Sequence, residues 1–221
     1  KEAELQGLID RKEAQFNNSV QLLRNLQTAQ AQLSTTIKTQ AETLVKAQHN
    51  EELAQTQLDQ IEREEESIAA VIARAQAGQN VRTYASGRLA WPLHGVLEQG
   101  FGPTPYKFEA PITYQGVRYP HFHTGIDIAA PAGSPIAAAA NGQVIVTGYD
   151  AYGYGNYLII AHNPTLATLY GHMSRLAVGK GLVVKQGQTI GFEGSTGNST
   201  GPHLHFEVRV NGNFVNPLGY L

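Results

Sequence analysis

From Leu5 to Ile72 apolar residues recur at alternating steps of four and three, the mark of a helix with a single apolar seam. With Leu5 at heptad position d, fourteen of the twenty a and d positions in this stretch are apolar, and the phase never slips. A constant repeat of this kind keeps the seam on one side of a left-handed supercoil, so residues 1–76 are predicted to form a long coiled-coil helix. Neither Gly nor Pro occurs between Gly7 and Gly78 to interrupt it. At 1.5 Å per residue, about 70 helical residues would reach roughly 100 Å. A helix that long cannot bury its seam alone, so a partner is expected: a second copy, a helix preceding this stretch, or another protein. The polar seam positions Gln30, Gln40, Glu51 and Glu65 read as tolerated imperfections, and the acidic run from Glu62 to Glu66 as a solvated face.

The period disappears around Gly78 and Gly87, and residues 77–90 read as a linker. From Trp91 the pattern changes to short alternating or apolar runs between Gly-rich turns: Gln143 to Thr147, Asn156 to His162, Val183 to Lys185 and His203 to Val210. In the last run Leu204, Phe206, Val208 and Val210 alternate with His203, His205, Glu207 and Arg209, giving one core face and one polar face. Asn211-Gly212 then supplies a type I′ turn back into Phe214 and Val215. Residues 91–221 are therefore expected to form a mainly antiparallel β domain.

Composition removes several function classes. The chain has no cysteine, so disulfides, thiolate metal sites and a cysteine nucleophile are excluded, and any metal must be held by His and carboxylates. A formal net charge of −2 and scattered Lys and Arg give no basic stripe for nucleic acid. No apolar run reaches the length of a membrane span. Because Lys1 to Arg11 already read as mid-helix, a longer precursor is expected, with any export signal outside this sequence.

Three histidine clusters then stand out in the β half. His123-Thr124-Gly125-Ile126-Asp127 reads as one strand with the imidazole and the carboxylate on the same face. Tyr170-Gly171-His172 follows on its own run, and His203-Leu204-His205 places two rings on one strand face about 7 Å apart. Two His and one carboxylate make a catalytic zinc set with a fourth position left for water, and the remaining His residues are free to move protons. Glu207 shares the His face and is expected to hydrogen-bond behind the ligands. His121, two residues before His123, is a weaker ligand candidate, while His162 and His94 read as structural. Tyr170 fits either a cleft wall or a packed strand. The aromatic stretch Pro103 to Pro120 fits either a wall or plug of the cleft or a hairpin excursion.

At these residues the chain resembles the M23 family of zinc metallopeptidases, the lysostaphin-like or LytM-type endopeptidases. Its His-x-x-x-Asp, a lone downstream His and a terminal His-x-His all occur in order. The likeness runs from about Trp91 to Pro217 and takes in Gly153-Tyr154-Gly155-Asn156 and the loop Gly194 to Ser199. The resemblance implies that His123, Asp127 and His205 ligate Zn²⁺ and that His172 and His203 flank the scissile carbonyl as catalytic residues. It further implies a zinc endopeptidase that hydrolyses peptide crosslinks of bacterial peptidoglycan with a water activated on zinc. An exported location in the periplasm, cell envelope or extracellular space follows, as does an envelope protein as one candidate partner for the coil. The rival reading is a non-catalytic activator or glycan-binding component of the wall-remodelling machinery. A classical zincin is excluded, since no His-Glu-x-x-His occurs and His49-Asn50-Glu51-Glu52 lacks the second His.

Overall fold

The computed structural model describes residues 1–78 and 88–221. The chain divides into two compact units, Lys1–Thr56 and Gln57–Leu221. The predicted helix is present as one unbroken element, α1 (Glu2–Gly78). In the first unit the seam residues Leu5, Leu23, Leu26, Leu33, Ile37 and Leu44 are each 58–61% exposed. No helix among the described residues is long and apolar enough to cross a membrane.

In the second unit the end of α1 packs on the β-sheet. Ile68 and Ile72, which the heptad pattern assigns to the seam, are buried with Ile145, Ile159, Ala161, Ala167 and Leu169. Burying two isoleucines contributes about 1.5–3 kcal/mol each. Gln76 Nε2 adds a hydrogen bond to Asn163 O at 3.2 Å. Of the stretch expected as a linker, Ala77 and Gly78 complete the helix and residues 79–87 lie outside the described residues. By Leu89 the chain is already part of the β unit: its N–H donates to Tyr220 O at 2.9 Å, and its side chain is buried.

The second unit contains β1 (Val96–Gln99), β2 (Gly102–Pro103), β3 (Ile112–Tyr114), β4 (Val117–Tyr119), β5 (Phe122–His123) and β6 (Ile126–Ala129). It continues with β7 (Pro135–Ala137), β8 (Gly142–Asp150), β9 (Gly155–Ala161), β10 (Leu166–Met173) and β11 (Arg175–Leu176). The last strands are β12 (Val183–Val184), β13 (Thr189–Phe192), β14 (Leu204–Val210) and β15 (Asn213–Val215). The main sheet runs β1-β6-β14-β10-β9-β8-β12, with β15 paired to β14, and the pairings are antiparallel throughout. The expected hairpin after β14 forms as predicted: Asn211 and Gly212 both have positive φ, 52° and 83°, as a type I′ turn requires.

The alternation on β14 divides its side chains between two environments. Leu204, Phe206 and Val208 enter a core with Ile126, Ile128, Leu158 and Tyr170, whereas His203, His205, Glu207 and Arg209 face the other side. Tyr170 is a packed core residue, its hydroxyl accepting from Ala139 N at 2.9 Å. His162 is structural and fully buried: Nδ1–H donates to Asn141 O at 2.8 Å, and the Thr168 hydroxyl lies 2.8 Å from Nε2. Burial pushes the His162 pKa from the ordinary 6.5 down to about 4. In that window the unfolded chain binds a proton that the folded chain does not, so stability falls as pH falls. Acidification from pH 7.5 to 5 therefore costs about 2 kcal/mol through this group. Urea denaturation at the two pH values should show a smaller acid loss in His162→Gln than in the wild type; equal losses would contradict this origin.

Candidate metal centre

Two sequence-distant segments converge where β6 pairs with β14. His205 lies opposite Asp127 in that register, and His123 arrives from β5 just before. The single strand expected over the first motif is divided, because Thr124 and Gly125 bend the chain between β5 and β6. The bend brings His123 and Asp127 into direct contact, with Nε2 3.1 Å from Oδ1. Gly125 makes it possible: a Cβ there would lie 2.5 Å from Phe206 O and 2.9 Å from the His205 ring.

Each imidazole has one nitrogen committed to an acceptor and the other turned inward. His123 Nδ1–H donates to Gly100 O at 3.0 Å, which leaves Nε2 inward. His205 Nε2–H donates to Glu207 Oε1 at 3.2 Å, which leaves Nδ1 inward, 3.0 Å from both Asp127 Oδ1 and His123 Nε2. These three atoms form a triangle with sides of 3.0–3.1 Å. A tetrahedral zinc site with bonds near 2.0 Å has ligand edges of about 3.3 Å. His123 Nε2 and Asp127 Oδ1 both point lone pairs at this space, so it calls for a positive charge.

The titration behaviour says the same. Burial works against an ionised Asp127, but the adjacent His123 and His205 rings hold its pKa well below the usual carboxylate range. Burial likewise works against a charged His205, yet Asp127 and Glu207 raise its pKa to about 10. Without metal, a proton on His205 supplies the positive charge. A divalent ion held by two imidazoles and a carboxylate fits the same space and displaces that proton, so zinc affinity falls with falling pH.

His172 and His203 flank the triangle, their ring centroids 4.8 Å apart. His172 has a positive φ of 58° and lies in the irregular pairing of β10 with β9 between Tyr170 and Met173. This local backbone strain turns its ring toward the centre, as bulges beside functional sites do. Its Nδ1–H donates to Thr196 O at 2.8 Å, and that of His203 donates to Gly201 O at 2.8 Å. In both rings Nε2 is free to face the cleft, and His203 Nε2 lies 3.7 Å from Asp127 Oδ2. Burial, then the charge on His205, lowers the His172 pKa to about 4.

The five residues open onto a cleft of about 660 Å³. In the 103–120 stretch β3 and β4 form a hairpin, and Tyr106, Phe108 and Glu109 line the cleft. Tyr106 and Phe108 stack with centroids 5.4 Å apart. The Glu109 carboxylate accepts from Gln99 Nε2 at 2.9 Å, and burial raises its pKa. His121 is not part of the donor cluster; its Nδ1–H donates to Glu109 O at 2.9 Å. Sequence reasoning missed Thr124, Tyr154 and Arg209, which surround Glu207. Arg209 carried a signal, since it shares the His face of a buried strand, whereas Tyr154 lay within the resemblance at Gly153–Asn156 with no role attached to it.

The profile of Peptidase family M23 matches residues 121–217, a span that contains every member of this constellation. The chain contains a Peptidase family M23 domain. Within it, the DD-carboxypeptidase/endopeptidase Mpg of Neisseria meningitidis serogroup B is 51% identical over 96 residues, 43% of this chain and 22% of that protein. The peptidoglycan DD-endopeptidase ShyB of Vibrio cholerae serotype O1 is 44% identical over 114 residues, 52% of this chain and 25% of that protein. The matched M23 stretch thus spans about a quarter or less of these curated relatives. Among solved structures, the antimicrobial peptidase lysostaphin from Staphylococcus simulans superposes with a TM-score of 0.50 at 31% identity, covering 62% of this chain and 54% of that one. Zinc is the cofactor of the M23 peptidases, and the two-imidazole, one-carboxylate donor set suits it.

Gly125→Ala should force the His205 ring and the β14 backbone away from residue 125. Over-packing of this kind costs about 1–3 kcal/mol. Thermal melts with and without zinc should show a lower midpoint and a smaller stabilisation by the metal. A wild-type response to zinc would show that the close approach at Gly125 does not set the donor triangle.

Proposed function

We propose that residues 91–221 form a zinc-dependent endopeptidase that hydrolyses peptide crosslinks of bacterial peptidoglycan. The observation that carries this reading is the triangle of His123 Nε2, Asp127 Oδ1 and His205 Nδ1 at the edge of a cleft wide enough for a peptide. These three would hold Zn²⁺. When bound, zinc supplies a Lewis acid that makes water acidic near neutral pH and polarises a carbonyl. His172 and His203 are the proposed catalytic residues. Each has its Nδ1–H tied to a backbone carbonyl, so Nε2 presents a lone pair to the cleft. One ring takes a proton from the attacking water as its oxygen bonds to the scissile carbon. The same proton then passes to the departing nitrogen as the C–N bond breaks. The second ring, carrying a solvent-derived proton on Nε2 that it keeps throughout, donates a hydrogen bond to the oxygen on which negative charge develops.

Peptidoglycan as substrate rests on the relatives' activities and on a cleft with a stacked aromatic wall. The same reading puts the protein outside the cytoplasm, in the periplasm, cell envelope or extracellular space. An intact donor set favours a peptidase over an activator with a decayed site. For the part of residues 1–76 that precedes Ile68 the proposal is a coiled coil, its exposed leucine seam taking a second copy, a preceding helix or another envelope protein. Residues 77–90 would join it to the peptidase unit.

Elemental analysis together with turbidity clearing of purified peptidoglycan tests the assignment. Wild type should hold about one zinc per chain and clear the wall. His203→Ala should keep its zinc and lose about 10²–10⁴-fold in rate, while His205→Ala should lose zinc and activity together. Zinc binding without any cutting of peptidoglycan would move the protein to the activator or glycan-binding class.

A further inference from the structure

Glu207 takes no part in the proton transfers above, yet its carboxylate joins all the segments that build the metal centre. Oε1 accepts hydrogen bonds from the Thr124 hydroxyl, from the Tyr154 hydroxyl at 2.9 Å and from His205 Nε2–H at 3.2 Å. Oε2 accepts from Arg209 Nε at 2.6 Å. Thr124 lies in the bend between His123 and Asp127, so a single oxygen ties the segment carrying two of the metal donors to the ring that supplies the third.

We propose that Glu207, held in place by Arg209 and Tyr154, is the positioning residue that presents Nδ1 of His205 to the metal and fixes the first donor segment against β14. The proposal rests on the zinc reading given above. An imidazole can offer a metal either nitrogen, and whichever is hydrogen-bonded elsewhere is withdrawn from it. With Nε2–H given to Glu207, only Nδ1 of His205 remains for the triangle.

A carboxylate at 0% exposure is costly unless it is compensated. Arg209, itself 1% exposed, supplies the opposite charge. It is steadied by Gly212 O, which accepts from Nη1 at 3.4 Å, and by the Phe214 ring, 5.4 Å from the guanidinium carbon. Tyr154 completes the set by accepting from Arg209 Nη2 at 3.1 Å while donating to Glu207. Its ring packs on the apolar cluster that contains Ile68 and Ile72, which limits its movement and keeps the hydroxyl aimed. The carboxylate is therefore oriented before any metal arrives.

A merely structural ion pair would stabilise the metal-free and zinc-loaded protein alike. A positioning role instead appears in the zinc dependence. The wild-type chain, Glu207→Gln and Tyr154→Phe are compared by chelator competition and by thermal melts with and without zinc. Glu207→Gln should raise the zinc dissociation constant about 10–100-fold. Tyr154→Phe, which keeps the ring and removes one hydrogen bond, should raise it about 2–10-fold. In both, the increase in melting temperature on adding zinc should shrink, and saturating zinc should restore most of the peptidoglycan-clearing rate. If Glu207→Gln does not fold, Tyr154→Phe decides. Wild-type zinc affinity in a folded variant with a lowered metal-free melting temperature would overturn the proposal. A wild type that binds no zinc would instead overturn the metallopeptidase reading, and this proposal with it.

Discussion

The structure of the second unit turns on two inward lone pairs, His123 Nε2 and Asp127 Oδ1, held 3.1 Å apart in a buried space. Acceptors that close repel one another unless a positive charge lies between them. A proton on His205 or a divalent ion meets that need, and no apolar side chain could. The remaining features of the site follow from keeping the arrangement rigid and accessible: committed outer nitrogens, a glycine where β5 meets β6, and a cleft above.

The sheet order explains how distant residues meet. β6 and β10 both pair with β14, so His205 has the first motif on one side and the strand of His172 on the other. Alternation on β14 then sends the histidines, Glu207 and Arg209 to one face and the aliphatic residues to the core. Regular pairing would not turn the His172 ring to the centre. The irregularity in β10 and the left-handed backbone at His172 do so, at a cost in strain that the surrounding sheet absorbs.

Much of this was legible in the sequence, because periodicity and turn chemistry are local. The uninterrupted helix, the β14 alternation and the Asn211-Gly212 turn each follow from a few adjacent residues. The histidine motifs also marked the side chains that meet in the triangle, while their division into donors and flanking rings came from the family resemblance. Other features depend on contacts that no local pattern encodes. The heptad rule assigned Ile68 and Ile72 to a helical partner, whereas the sheet takes them, because a row of Ile, Leu and Ala on β8, β9 and β10 is as good an apolar surface. The break at Thr124–Gly125 was hidden because alternation of the flanking residues resembles a continuous strand. Tyr154 comes from a loop, and its link to Glu207 exists only in the folded chain.

The most direct measurement is diffraction from crystals grown with zinc, recorded above and below the zinc absorption edge. The account predicts one strong anomalous peak inside the triangle, about 2.0–2.2 Å from His123 Nε2, Asp127 Oδ1 and His205 Nδ1, with Glu207 still bound to His205 Nε2. No peak there, or one coordinated through His205 Nε2, would contradict it.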